Sequence, residues 1–328
     1  MCSRRRMLPR SMHTVIRLTG EPVEAIRGGQ SVIFRAQHRG RQVAVKTIRI
    51  TMSSDFDSLQ EFCREAVAWR HLRHPNILPL LGVDLKQHRL SMVSEWMHQG
   101  NINEYVQRHG GVNRLQLLAD VAAGLQYMHG LEMVHGDLKG ANILVNQSHR
   151  ACLVDFGLST IASVELNTGT NDSSISVASR ASLMSFTAGG TPRWMSPELL
   201  DPERFGASDD RPTKESDCYA LGMVVYEVRP GVTVPVLGVP ELNVRWQVLS
   251  GNPPYWDITN EPALIYAITE GHRPEKPEVA ESLGFTTELW KIVQQCWLTS
   301  CSTRPDVKVI STHLNHATWS WGRRWVSV

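Results

Sequence analysis

Two stretches of the sequence carry side chains whose types and spacing suit phosphoryl transfer. Asp137 and Asn142 lie five residues apart in the phrase HGDLKGAN, and Asp155 opens the triplet DFG. Carboxylate and amide oxygens are the hard ligands that Mg²⁺ prefers, so Asn142 and Asp155 are the predicted metal ligands. Asp137 is then the candidate acceptor for the proton of an attacking hydroxyl group.

Two charged residues nearer the N-terminus would complete such a site. Lys46 ends the phrase VAVK in a predicted strand, where its ammonium group would reach the α and β phosphates of ATP. Glu65 lies on the predicted helix that follows and is expected to pair with Lys46 and hold it extended. The set predicts ATP and Mg²⁺ as cofactors.

Residues 20–96 predict a small lobe that would position the lysine and the glutamate. Residues 31–50 contain two β-branched runs around a central turn, which indicates a hairpin. Ser58 and Glu61 match a helix capping box, and apolar residues follow at helical spacing until His74. Two more short strands come next, so five strands and one helix make an α+β lobe.

The rest of the chain predicts a larger, mainly helical lobe. From Gly100 onward the apolar periodicity is helical, as in LQLLADVAAGLQYMHG. Residues 159–187 are rich in Ser, Thr, Asn and Gly and predict a long functional or solvated loop. The predicted units are a basic tail at 1–19, a small lobe at 20–96, a large lobe at 97–315 and a C-terminal tail at 316–328.

The composition is that of a globular protein and narrows the choice of partners. Hydrophobic residues make up 42% of the chain, and 34 basic residues nearly balance 32 acidic ones. This balance argues against nucleic acid or an anionic membrane as a partner. Six cysteines form no CxxC pair, which fits a reducing compartment. The N-terminal stretch is basic but lacks an apolar signal segment, so a cytoplasmic protein is expected, with a transit peptide as the alternative.

The motifs stand in the order found in eukaryotic protein kinases, and the sequence resembles that family over residues 20–315. The phrases VHGDLKGANILV, DFGLST, GGTPRWMSPELL and KESDCYALGMVVYE are similar to the tyrosine-kinase-like group, in the form expanded in mushroom-forming fungi. The resemblance implies a two-lobed α+β fold and transfer of phosphate from ATP to protein hydroxyl groups in intracellular signalling. The catalytic residues that it implies are Asp137, Lys139, Lys46 and Glu65.

The resemblance also implies contacts around the nucleotide. Ser94 resembles the gatekeeper residue at the back of the adenine pocket. Glu95 and Met97 resemble the hinge residues whose backbone holds adenine. The implied nucleotide contacts are Gly29, Phe34, Ala44, Lys46, Glu95, Met97, Asn142 and Asp155.

Other positions bear on how the loops around the site are held. Glu198 is expected to pair with Arg304 at the end of the activation segment, and Asp217 to brace the catalytic loop. Gly136 stands where many kinases have an arginine that receives the phosphorylated activation loop. Phosphorylation of that loop is therefore not expected to be a strict on-switch.

The glycine-rich loop before the lysine departs from the kinase pattern GxGxxGxV. Counted back from Phe34 at the valine position, the three glycine positions are Arg27, Gly29 and Val32. A β-branched residue is poorly suited to unusual backbone angles. Strain of about 1–3 kcal/mol at Val32, and weaker positioning of the phosphates, are therefore expected.

The sequence leaves alternatives for the function. Lys139 and Thr191 resemble serine/threonine kinases whereas residues 193–196 resemble tyrosine kinases, so serine or threonine is favoured and tyrosine is the alternative. A pseudokinase that serves as an ATP-binding or interaction scaffold is the second hypothesis, and survival of all five catalytic residues disfavours it. A small-molecule kinase is the third, and the peptide-docking phrase GGTPRWMSPE argues against it.

Residues 228–247 interrupt an otherwise familiar phrase. Without them Glu227 would run into Val248, giving the YEVLSG that similar kinases show. The length of the block keeps the reading frame, and Val228 and Gln247 can encode the two splice signals. The prediction is a retained intron, with a family-specific insertion as the alternative. In the protein the block should be a poorly packed excursion between two helices of the large lobe.

Overall fold

The computed structural model describes most of the chain between residues 19 and 325. The described residues are 19–27, 31–48, 55–84, 90–156, 160–161, 191–207, 210–228, 253–276 and 285–325. Their strands are β1 (Thr19–Arg27), β2 (Ser31–His38), β3 (Arg41–Ile48), β4 (Leu80–Asp84), β5 (Ser91–Glu95), β6 (Met133–Val134), β7 (Ile143–Val145), β8 (Ala151–Leu153) and β9 (Thr160–Ile161). Their helices are α1 (Asp55–His71), α2 (Ile102–Arg108), α3 (Arg114–Gly130), α4 (Pro197–Leu200), α5 (Lys214–Glu227), α6 (Glu261–Thr269), α7 (Thr287–Cys296) and α8 (Val307–Trp325).

The first five strands form one antiparallel sheet in the order β1-β2-β3-β5-β4. Strands β2 and β3 are the predicted hairpin, and its turn residues Arg39 and Gly40 have positive φ angles of 51° and 76°. Lys46 on β3 is paired with Ile33 of β2 on one side and with Met92 of β5 on the other. The lysine therefore lies on a central strand that neighbours hold on both edges.

Helix α1 packs against β4 but begins before its predicted cap. It starts at Asp55, so Ser58 lies inside the helix, and the capping box of Ser58 and Glu61 was wrong as a start signal. Neither glycine nor proline stands between Asp55 and Ser58 to stop the helix from extending toward the N-terminus. The buried residues of α1 in the main core are Phe62, Ala66 and Trp69, and Leu72 joins them directly after the helix.

The large lobe is built around α5, whose residues from Ser216 to Glu227 are all buried. Helix α7 packs against α5, and α3 packs against both α8 and α5. A helix that is buried all round needs apolar side chains on every face, and the run CYALGMVVY supplies them. Its two acidic residues in that stretch, Asp217 and Glu227, require partners inside the protein.

The C-terminal helix α8 crosses the predicted boundary of the kinase unit at residue 315. Ile310, Leu314 and Ala317 recur at helical spacing and form one buried face of this helix. Helix α8 continues to Trp325, so residues 316–325 of the predicted C-terminal tail are helical. No helix in the described ranges combines the length and the apolar character that crossing a membrane requires.

Only the first residue of the predicted insert is described, and residues 229–247 lie outside the described ranges. Val228 caps the C-terminus of α5 and is fully buried. In a chain without the insert, Val248 would directly follow Glu227. The buried position at the end of α5 would then again be occupied by a valine.

The two flanks of the insert are linked by consecutive side chains. Trp194 donates its indole N–H to Glu227 Oε2 at 2.8 Å. Its neighbour Arg193 donates to the carbonyl oxygens of Pro254 at 3.0 Å and of Ile258 at 2.7 Å. The end of α5 and the segment before α6 therefore lie within the reach of two adjacent residues.

We propose that the protein without residues 228–247 folds as the full chain does. The deletion keeps a buried valine after Glu227 and shortens a connection whose closure entropy grows with its length. The melting temperature of the deletion variant should be equal to or above that of the full chain. A melting temperature several degrees lower would contradict the proposal. Sequencing of the mature transcript would show independently whether the block is translated.

Candidate active site

The catalytic loop, residues 135–142, lies between β6 and β7. It is held against the residues that follow β8. The Val154 N–H donates to the carbonyl oxygen of Asn142 at 3.0 Å. The His135 ring nitrogen Nε2 lies 3.1 Å from the carbonyl oxygen of Val154. These contacts bring the segments that carry Asp137, Asn142 and Asp155 side by side.

Asp137 is buried and is held by two neighbours on its own loop. The amide nitrogen of Asn142 donates to Oδ2 of Asp137 and to its carbonyl oxygen, both at 2.8 Å. The ammonium group of Lys139 lies 2.8 Å from the same Oδ2. Burial raises the pKa of Asp137, and the charge of Lys139 opposes this in part, so the net shift is upward. A raised pKa makes the carboxylate a better proton acceptor.

Lys46 binds both its predicted partner Glu65 and the predicted metal ligand Asp155. Its Nζ lies 2.7 Å from Oε1 of Glu65 and 2.6 Å from Oδ1 of Asp155. Burial lowers the pKa of Lys46, but the charges of Asp155 and Glu65 outweigh it and raise the pKa overall. The lysine therefore stays charged and extended between α1 and the residues after β8.

The backbone after β8 is strained, and the next residue is packed in the core. Asp155 has a φ of 67°, which is uncommon for a residue other than glycine. The ring centroid of Phe156 lies 5.7 Å from that of Trp69 on α1 and 5.7 Å from that of His135. This packing ties α1, which carries Glu65, to the catalytic loop.

Asn142 and Asp155 fit a Mg²⁺ ion that takes its other ligands from phosphate and water. Asn142 engages its amide nitrogen with Asp137, which leaves its amide oxygen for a cation. Asp155 binds Lys46 through Oδ1, and its side chain is 42% exposed. Both residues thus offer the hard oxygen atoms that the predicted ion requires.

Asp217 on α5 holds the catalytic loop just before Asp137. It accepts hydrogen bonds from the main-chain N–H of His135 at 2.8 Å and of Gly136 at 2.9 Å. Its Oδ2 also lies 2.9 Å from Nε2 of His129. Gly136 has a φ of 80°, a conformation that glycine adopts without strain. The bracing contact that the sequence resemblance implied for Asp217 is present.

Glu227 at the other end of α5 holds the loop after Asp137. It accepts a hydrogen bond from the main-chain N–H of Gly140 at 2.9 Å. Asn103 of α2 and Trp194 of the 3₁₀ turn Thr191–Trp194 donate to it as well. Sequence reasoning missed this group, although an acidic residue that ends a helix with no solvent face signals a buried partner.

The sheet face that carries Lys46 would form the roof of a nucleotide cleft. Ala44 shares this face because side chains two residues apart on a strand point the same way. Ser94, the predicted gatekeeper, pairs with Ala44 across β3 and β5 and is buried. Glu95 ends β5, and Met97 follows where the chain passes into the large lobe.

Phe34 lies on the opposite face of the sheet, so its predicted contact with the nucleotide was wrong. It pairs with Val45 and packs against the small cluster of that face, which is Ala36, Val43, Val45 and Val93. Ile33, which pairs with Lys46, occupies the corresponding place on the cleft face. The valine position of the glycine-rich pattern is therefore Ile33. Moving one residue along the strand places the side chain on the opposite face of the sheet.

The same shift changes the assignment of the glycine positions. They become Ile26, Gly28 and Ser31. Gly29, the predicted nucleotide contact, lies outside the described residues. Val32 is an ordinary residue of β2 that pairs with Arg27 and Thr47. The strain expected at Val32 was therefore wrong, because that residue has no glycine position to fill.

The end of the activation segment is anchored by a buried ion pair. Arg304 donates through Nη1 to Oε1 of Glu198 at 2.5 Å and through Nη2 to Oε2 at 2.7 Å. The guanidinium carbon also lies 5.1 Å from the ring centroid of Tyr219 on α5. Burial alone would raise the pKa of Glu198, but the hydrogen bonds and charge of Arg304 hold it below its ordinary value.

Comparison with known proteins agrees with this geometry. Residues 24–314 match the protein tyrosine and serine/threonine kinase family, and the chain belongs to that family. The matched range contains both lobes, the paired lysine and the catalytic loop. The predicted two-lobed α+β kinase fold is therefore confirmed.

Curated relatives are similar at modest identity. The chain is 27% identical over 293 residues to the serine/threonine-protein kinase CTR1 of Arabidopsis thaliana, covering 86% of this chain and 30% of that protein. It is 28% identical over 294 residues to the receptor-interacting serine/threonine-protein kinase 2 of Bos taurus, covering 85% and 48%. It is also 28% identical over 269 residues to ephrin type-A receptor 3 of Danio rerio, covering 80% and 22%. The chain thus spans less than half the length of these relatives.

Glu198→Gln should destabilise the protein, because it leaves the buried guanidinium of Arg304 without a charged partner. We expect a loss of about 3 kcal/mol in the free energy of unfolding near neutral pH, measured with denaturant. Because the folded protein lowers the pKa of Glu198, the contribution of the pair is complete above its ordinary value of 4.5 and is lost as pH falls through the folded pKa. The difference between wild type and variant should shrink in that acidic range.

The matched control is Glu132→Gln, which breaks the exposed pair of Glu132 with Lys214 at 2.7 Å. Exposed pairs contribute about 0–1 kcal/mol, so this variant should unfold almost as the wild type does. Equal losses from the two substitutions would contradict the assignment of Glu198 as the anchoring residue.

Proposed function

We propose that this protein is an active kinase that transfers the γ-phosphate of ATP to serine or threonine hydroxyl groups of other proteins. The observation that supports it most is the assembled site, in which Lys46 pairs with Glu65 and Asp155 beside Asp137. Phosphoryl transfer needs this combination of a phosphate clamp, metal ligands and a group that orients the hydroxyl. We also propose, from the sequence alone, that the protein acts in the cytoplasm.

Each residue of the site has a distinct role in this proposal. Lys46 would hold the α and β phosphates, and Asn142 and Asp155 would hold Mg²⁺, which neutralises phosphate charge. Asp137 would orient the substrate hydroxyl and take up its proton. Lys139, whose ammonium group lies beside Asp137, would offset the negative charge on the transferred group.

Lys139 also supports serine or threonine as the accepting residue. The sequence resemblance associates a lysine at this position with serine/threonine kinases, and the structure places its ammonium group on Asp137. Two of the relatives named above are serine/threonine-protein kinases by description. Tyrosine remains the alternative acceptor because residues 193–196 resemble tyrosine kinases.

A pseudokinase that binds partners without catalysis is the second candidate function. Of the three glycine positions in the pattern only Gly28 holds glycine, and this favours the pseudokinase, because fewer bare N–H groups would approach the phosphates. The presence of every residue that phosphoryl transfer requires argues against a pseudokinase. The two candidates differ in whether wild-type protein transfers phosphate at all.

Asp137→Asn should keep ATP binding and abolish most of the phosphate transfer. Removal of a positioned general base lowers the turnover number by about 10² to 10⁴. Turnover is measured with labelled ATP, Mg²⁺ and a generic basic protein, and ATP affinity by calorimetry. Asp210→Asn, the same substitution outside the site, is the control and should retain activity.

Equal turnover in wild type and Asp137→Asn would show that Asp137 is not the base. A wild type that binds ATP and transfers no phosphate would instead support the pseudokinase. The two outcomes are distinct, because the first requires activity and the second its absence.

Ser94 predicts that bulky adenine analogues bind the wild-type protein. A small side chain on the cleft face beside Ala44 leaves space behind adenine. Ser94→Met should abolish competition by an analogue that carries a large substituent on the exocyclic amine, while the KM for ATP changes little. Equal competition in both forms, or in neither, would show that Ser94 does not face the nucleotide.

A further inference from the structure

Glu227 lies where three segments of the large lobe meet. Its Oε1 accepts a hydrogen bond from Nδ2 of Asn103 on α2 at 2.5 Å. Its Oε2 accepts two, from the main-chain N–H of Gly140 at 2.9 Å and from the indole N–H of Trp194 at 2.8 Å. The residue is 3% exposed, so water does not replace a donor that moves away.

One carboxylate oxygen thus joins the catalytic loop to the end of the activation segment. Gly140 directly follows Lys139, and Trp194 lies two residues before Ser196, the N-cap of α4. Burial raises the pKa of Glu227, and its hydrogen bonds with Asn103 and Gly140 act in the opposite direction. A charged carboxylate in this place is therefore tolerated only while its donors are present.

The approach of the catalytic loop to Glu227 is close enough to require glycine. A Cβ atom on Gly140 would lie 2.4 Å from Nδ2 of Asn103 and 2.7 Å from Oε1 of Glu227. Both neighbouring side-chain atoms belong to the hydrogen-bonded group, so they cannot move apart without breaking it. The loop backbone, rather than a side chain, is the part that Glu227 holds.

We propose that Glu227 is a positioning residue that couples the docked end of the activation segment to the catalytic loop. When Trp194 is in place, Oε2 is fixed and holds Gly140, and the loop keeps Asp137 and Lys139 in their active arrangement. Gly136 stands where other kinases have the arginine that receives a phosphate, and the contact of Glu227 with Trp194 needs no phosphate. This inference rests on the proposed kinase function. It states which contact holds the active site in its active arrangement.

Trp194→Phe tests the coupling, because it removes the indole N–H and keeps an aromatic ring. Loss of one hydrogen bond to a buried charged group should lower kcat by about tenfold and leave the KM for ATP nearly unchanged. The amide of Gly140 should exchange with solvent faster, because Trp194 and Gly140 donate to the same oxygen of Glu227. Trp319→Phe on α8, where the tryptophan is 61% exposed, is the matched control and should change neither quantity.

Substitutions of Glu227 itself separate positioning from simple packing. Glu227→Gln keeps one oxygen for Gly140 and Trp194. The amide of Asn103 can turn its oxygen, which has no hydrogen-bond partner among the described residues, toward the new NH₂ group. Glu227→Gln should therefore stay within about threefold of wild-type kcat, whereas Glu227→Leu should lose about 10- to 100-fold. Adding Trp194→Phe to Glu227→Leu should lower kcat by less than about twofold more, because the coupled contact is already lost.

Hydrogen exchange at Gly140 distinguishes a failure of this inference from a failure of the proposed kinase function. Faster exchange of the Gly140 amide in Trp194→Phe, in a protein that proves to be inactive, would support the coupling and refute the kinase activity. Unchanged exchange at Gly140 together with unchanged kcat in Trp194→Phe would overturn the inference. The Trp194 variant decides the matter even where Glu227→Leu fails to fold.

Discussion

Burial of helix α5 is the constraint on which the active site depends. Apolar side chains on every face keep this helix inside the large lobe, so its two buried acidic residues cannot reach water and must find donors in the protein. Asp217 holds the backbone before Asp137, and Glu227 holds the backbone after it. The position of the proposed catalytic base is therefore set by a helix that contributes no catalytic group of its own.

Lys46 makes a comparable connection between the lobes. It extends from the central strand of the sheet and binds Glu65 of α1 and Asp155 of the large lobe at once. Phe156, the residue after Asp155, packs between Trp69 of α1 and the catalytic loop. Ionic and apolar contacts thus require the same placement of α1, and a displacement of the helix would weaken both. The residues proposed to bind the nucleotide are therefore held by contacts within the protein.

The side chains that the structure brings together around Asp137 could be predicted because short phrases of fixed spacing define them. The sheet face on which Phe34 lies could not be predicted. An alignment error of one residue before β3 moves every side chain of β2 to the opposite face of the sheet. Glu227 was missed for a different reason. Its partner Gly140 lies 87 residues away, and a contact of that kind follows from the packing of helices rather than from a local pattern. The early start of α1 shows that a capping box inside a helix-forming stretch does not have to begin the helix.

The most direct test of the account is to locate the phosphate that the purified protein transfers. Wild-type protein is incubated with γ-labelled ATP and Mg²⁺ and a peptide mixture that offers serine, threonine and tyrosine in equal amounts, and the modified residues are identified by mass spectrometry. The account predicts label on serine and threonine, with none when Mg²⁺ is removed. Label on tyrosine alone would contradict the assigned role of Lys139, and the absence of any label would contradict the proposal that this assembled site is catalytic.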